Sequence, residues 1–152
     1  MAWWDELSLG IKVTKDAAAI AIDPSPGAPF FTVAGGWVRL TGLLGYCTVA
    51  PALANNCQFT LEPDAVGGAI TVLSLALDIN GATEGDLLTI TGDPGVAMVG
   101  GHVARQQMMA ANPAGVILSP GVIGFIADAV QGTYRWILWY KPIDDVATVT
   151  VI

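Results

Sequence analysis

The chain has 152 residues, 53% of them apolar and 12% charged, with six Lys and Arg against thirteen Asp and Glu for a net charge of −7. That length fits one ordinary domain burying roughly 70% of its unfolded surface. So few charges poorly clothe a monomer, pointing to a membrane protein or to a subunit that buries its outside against partners, while scattered cations in an acidic chain argue against nucleic acid.

Eighteen glycines and nine prolines divide the chain into short runs rich in Val, Ile, Thr, Leu and aromatics, the rhythm of an all-β domain. At the start, "MAWWDELSLG" places Trp3, Trp4 and Leu7 on one face of a short helix over 3–9. It carries acids where a signal peptide needs basic residues, so Sec export is not expected. Segment 1–9 is too short to fold alone and reads as an anchor that docks on something, ahead of a β-domain spanning 10–152. Strands are predicted near 10–14, 18–22, 29–34, 37–49, 57–62, 69–78, 86–91, 115–119, 121–127, 133–141 and 146–151, with "DPSPGAP" at 23–29 as a stiff loop. A second short helix is predicted over 97–109, "AMVGGHVARQQMM", weakened by two glycines.

Two uncharged runs, 40–61 and 106–127, are long enough for a bilayer. The first holds Pro51, Asn55, Asn56 and Gln58, and the second Gln106, Gln107, Asn112, Pro113 and Pro120. Neither is a continuous apolar helix, so no membrane partner is expected. "AITVLSLAL" at 69–77 and "GVIGFIA" at 121–127 lack polar alternation, so both of their faces are predicted to be dry. A second sheet would cover one side and a neighbouring subunit the other. The fold class is all-β: a single-domain antiparallel β-sandwich or jelly-roll-like barrel with little helix.

Catalytic chemistry finds few candidates. His102 is the one histidine, in a Gly-flanked segment, and no G-x-S-x-G elbow surrounds Ser8, Ser25, Ser74 or Ser119. Asp144 and Asp145 are adjacent, so in an extended chain they point to opposite faces and do not flank one bond. Asp78, Glu84, Asp86 and Asp93 sit in turn sequences without the ligand series of a calcium loop. "GDPGVAMVGG" and "TVAGG" do not fit a phosphate-binding fingerprint. Cys47 and Cys57 read as buried free thiols. No catalytic residue, cofactor or metal is expected.

The most aromatic stretch is "GTYRWILWYKPIDD", 132–145. As a strand it puts Tyr134, Trp136, Leu138 and Tyr140 on one face, a core face, and Arg135, Ile137, Trp139 and Lys141 on the other. One tryptophan between cations suits a packed subunit surface better than a sugar platform, which would set acids and amides beside the ring. Arg135, Trp139 and Lys141, with Trp3 and Trp4, are the expected assembly interface.

"PFFTVAGGWVRLTGLLGYCT", "LDINGATEGDLLTITG" and "GTYRWILWYKPIDDVATV", in that order, resemble small virion proteins of tailed bacteriophages encoded near the head genes. The similarity covers most of 29–151; "MAWWDELSLG" departs from it. The resemblance implies a noncatalytic capsid decoration or cement protein that binds and stabilises the outer head shell. It implies a homotrimer whose partners are its own copies and the major capsid protein, made in the host cytoplasm and found on the head surface. The alternatives are a tail or baseplate component and a carbohydrate-binding adsorption module.

Overall fold

The structure, a computed structural model, describes residues 9–19, 28–64, 68–101, 109, 112–129 and 132–152. Among them there is no helix; twelve strands form two antiparallel sheets packed face to face, a β-sandwich. In chain order these are β1 (Ile11–Ala19), β2 (Ala28–Ala34), β3 (Val38–Val49), β4 (Asn56–Pro63), β5 (Thr71–Val72) and β6 (Leu77–Asp78). They continue with β7 (Leu87–Thr89), β8 (Val99–Gly101), β9 (Val116–Leu118), β10 (Gly121–Ala127), β11 (Thr133–Pro142) and β12 (Thr148–Val151). Sheet A runs β1-β11-β3-β7-β8 with β9 also on β3; sheet B runs β12-β2-β10-β4-β5 with β6 also on β4.

Side-chain alternation decides which way each strand faces. Along β11, Tyr134, Trp136, Leu138 and Tyr140 are buried while Arg135 is exposed and Ile137, Trp139 and Lys141 are half-buried. Antiparallel pairing with β3 sets Trp136 opposite Gly45 and Leu138 opposite Leu43. A Cβ on Gly45 would lie 2.8 Å from two atoms of the Trp136 indole, so only glycine lets that ring lie flat across β3. From sheet B, Phe59 meets the indole edge-on at 4.9 Å, and Phe30 stacks on Phe125 at 5.5 Å. Such aromatic contacts contribute about 0.5–1.5 kcal/mol each beyond area burial.

The two sheets are tied at both sides. Lys15, on the core side of β1, donates from Nζ to the Ile152 carbonyl at 2.6 Å and lies over the Phe30 ring at 5.5 Å. On the far side Leu75 bridges to Ala97, its N–H donating to the Val96 carbonyl at 3.0 Å and its carbonyl accepting from the Met98 N–H at 3.2 Å.

Several expectations are corrected. The single strand over 69–78 is instead two two-residue strands, β5 and β6. Between them Leu73 and Ser74 are buried and Leu75 and Ala76 exposed, so that run does not have two dry faces. Leu73 alone of its apolar residues is fully buried, where the chain passes between the sheets. β10 does keep every residue buried or half-buried. The expected helix over 97–109 gives way at its start to the Ala97 bridge and β8; 102–108 lie outside the described residues. The strands predicted over 10–14 and 18–22 are one strand to Ala19, with a bulge after Lys15, because bulges absorb an extra residue without ending a ladder. Of the helix predicted over 3–9, only Leu9 is described, in a turn.

Candidate assembly surface

The outer face of sheet A is built by register. β11 places Trp139 opposite Lys12 of β1 and Gly42 of β3, Arg135 opposite Tyr46, Ile137 between Thr14 and Leu44, and Lys141 opposite Arg39. Arg39 in turn pairs with Ile117 of β9. Facing partners on one side of a sheet share that side, so Lys12, Arg39, Arg135 and Lys141 join Trp139, Ile137, Leu44, Tyr46 and Ile117 on one surface. Tyr46 is 42% exposed and Ile117 61%.

The charge distribution is one-sided. All five described cations belong to strands of sheet A, and all but Lys15 stand on its outer face. Of the described acids, only Asp16 belongs to a sheet A strand; it lies 3.5 Å from Arg135 in an exposed pair. Such a pair adds little to stability. Arg135, Trp139 and Lys141, singled out by sequence, share this surface, whereas Trp3 and Trp4 lie outside the described residues. The alternation of β3 alone could not add Arg39 and Tyr46 to the set, because only pairing shows which strand lies beside β11.

At one end of the sheet the chain enters across this same face. The Thr41 hydroxyl, at the extra residue of a β3 bulge, donates to the Leu9 carbonyl. β11 lies between β1 and β3, so Leu9 has crossed over β11. Gly10 (φ +91°) makes the turn into β1, and a Cβ there would sit 2.7 Å from Cγ of the outward-pointing Lys141.

The remaining candidates are held by structural work. Asp144 accepts the Trp37 N–H at 2.7 Å, fixing the β2–β3 turn. Trp37 is 49% exposed. A cleft of about 170 Å³ between the sheets is lined in part by Asp78, Asp86 and Tyr134. Its carboxylates cap loops: Asp78 accepts from the Asn55 and Asn80 N–H groups at 2.9 Å each, and Asp86 from the Thr83 N–H at 2.7 Å.

Cys47 and Cys57 are free and buried. Burial, then the charges of Asp128 and Asp78, push the Cys57 thiol up to about 12. Burial likewise raises Cys47 and lifts the Tyr134 phenol well above its ordinary range. Such thiols are poor nucleophiles. His102 lies outside the described residues. Among the described residues no three His, Cys, Asp or Glu gather as a metal site, and no helix is long and apolar enough to cross a membrane.

Compared with known proteins, the chain matches no family model, no curated protein and no solved structure.

Proposed function

We propose that the chain is a noncatalytic structural subunit of a tailed-phage virion, a decoration protein that assembles as a trimer and binds the major capsid protein on the outer head shell. It is made in the host cytoplasm and ends on the head surface. The observation that carries the reading is the outer face of sheet A, which gathers Trp139, Tyr46, Ile137 and Ile117 with four of the six cations of an otherwise acidic chain. Aromatics and Arg are the residue types enriched at interface cores. Each subunit then needs only modest contact energy, because a multivalent oligomer multiplies it on a repeating lattice.

The test is binding of purified protein to undecorated heads. Exposed interface charges tune encounter and register, so Arg135→Glu with Lys141→Glu should lower occupancy at fixed protein concentration by roughly tenfold or more. Full occupancy by that variant, or a virion map placing the chain on the tail, contradicts the reading.

A further inference from the structure

We propose that Asn80–Gly81 is a site of spontaneous covalent modification, where the Asn80 carboxamide is lost through a cyclic imide and replaced by aspartate and isoaspartate, and that no other asparagine of the native fold reacts in this way. The reactants are the chain itself and water, and the inference does not rest on the virion reading.

The chemistry is intramolecular. The main-chain nitrogen of the following residue attacks the asparagine Cγ; the N–Cγ bond forms as the Cγ–Nδ2 bond breaks, and ammonia leaves with the proton that the nitrogen gives up. Water then adds to either carbonyl of the imide and opens it, giving aspartate or isoaspartate with no change of oxidation state. The reaction needs an unhindered attacking nitrogen, a carboxamide not held elsewhere, and a main chain that can swing one toward the other. The chain has four asparagines, and the fold withholds these conditions from three. Asn55 is fully buried, its Nδ2 donating to the Ala129 carbonyl at 2.8 Å and its Oδ1 accepting the Ala129 N–H at 2.9 Å. Asn56 donates from Nδ2 to Asp128 at 2.8 Å, and the nitrogen that would attack it belongs to Cys57, held inside β4 between Ala127 and Leu77. Asn112 precedes Pro113, whose nitrogen carries no hydrogen.

Asn80 meets all three. It is exposed, and among the described residues neither its carboxamide nor the Gly81 N–H makes a hydrogen bond; only its main-chain N–H is held, by Asp78 at 2.9 Å. Gly81 is exposed too, and a Cβ there would meet nothing within 4 Å, so the attacking nitrogen is unscreened. Gly81 has φ +83°, in a turn closed by the Ala82 N–H on the Ile79 carbonyl at 3.1 Å, the position where a type II turn takes glycine. Swinging the Gly81 nitrogen toward the Asn80 side chain opens that one turn bond, which slows the reaction by about tenfold at most. Both products put a new carboxylate in the wall of the cleft that Asp78 and Asp86 already line. Net charge goes from −7 to −7 − 1 = −8. Isoaspartate also lengthens the main chain by a methylene in the turn that follows β6.

The test incubates full-length native protein at neutral pH in ¹⁸O-labelled water beside the blocked synthetic peptide 77–84, "LDINGATE", with sites assigned by tandem mass spectrometry of proteolytic fragments. Asn80 of the native chain should take up solvent oxygen and yield isoaspartate at a rate within about tenfold of the peptide's. It should also react at least about tenfold faster than Asn55, Asn56 or Asn112, whose bonds open only with larger parts of the fold. A native rate further below the peptide's, or conversion of another asparagine at a rate comparable to that of Asn80, overturns the proposal. Anion exchange of intact protein gives a second readout, since each conversion adds a negative charge. Asn80→Gln leaves the main-chain bonds of the turn in place but would have to close a larger, less favourable ring, so the acidic species should not form in it. Its appearance in that variant at the native rate overturns the assignment to Asn80. Neither readout depends on binding to heads, so failure here is distinguishable from failure of the assembly function.

Discussion

Gly45 and Trp136 are packed against each other in the core. Adding a Cβ at Gly45 drives it into a fully buried indole, and overpacking of this kind costs about 1–3 kcal/mol. Gly45→Ala should therefore lower the stability read from urea unfolding by an amount near the top of that range. Trp136→Phe should rescue part of the loss, because it removes the atoms that the new methyl meets; strictly additive losses would show that the contact is not what makes Gly45 necessary. Trp136 carries a second tension: its Nε1 is buried with no hydrogen-bond partner among the described residues. The phenylalanine then loses apolar volume but sheds an unsatisfied donor. Cys57 makes a prediction of different sign structure. Its thiol stays protonated up to about 12 in the fold but ionises near its ordinary 9.0 when unfolded. Above pH 9 the unfolded chain holds fewer protons, so this contribution is fully present below pH 9 and is lost as pH climbs toward 12. Tyr134, raised from 10.0, steepens the decline from pH 10 upward. Urea midpoints measured from pH 8 to 11 should fall, and Cys57→Ala should flatten the fall between pH 9 and 10. An unchanged slope would contradict the assignment.

At the scale of the elements, β11 was the most legible part of the chain. Strict alternation of Tyr134, Trp136, Leu138 and Tyr140 against Arg135, Ile137, Trp139 and Lys141 told the core side from the outer side, and the burial pattern follows it. The run at 69–78 departs from the predicted single strand for a physical reason. Continuous apolar residues mark burial without marking a strand, and here Leu73 is buried and Leu75 bridges to Ala97 as the chain passes between the sheets. The continuity of β1 was also hidden, since the bulge after Lys15 reverses the alternation that a sequence reading relies on. Turn chemistry read correctly in kind but not in partner. Adjacency to Asp145 excludes Asp144 from an acid pair but assigns it no other role, and its use as the acceptor for Trp37, 107 positions away, appears only once β2–β3 and β11–β12 are brought together. Asp144→Ala should cost about 1 kcal/mol, the value of a lost charge-assisted bond discounted for exposure, and should change Trp37 fluorescence. A variant with native stability and an unaltered Trp37 signal would refute that role.

For the whole molecule, the informative feature is where charge has been put. A net charge of −7 read along the chain as scattered cations. Folding collects four of them on the outer face of sheet A, because Lys12, Arg39, Arg135 and Lys141 happen to share one side of three adjacent strands. No sequence rule short of the strand order would have found that surface. The same face holds Trp139, Tyr46 and Ile117, giving the molecule one side suited to contact. Sedimentation equilibrium at micromolar concentration tests this most directly, with the Arg135→Glu, Trp139→Ala double variant run beside the native chain. A subunit of 15.7 kDa gives a trimer of 3 × 15.7, about 47 kDa. The native chain should sediment at that mass and the variant at the mass of a folded monomer. A native chain that is monomeric at every concentration, or a variant that remains trimeric, would contradict assembly through the outer face of sheet A.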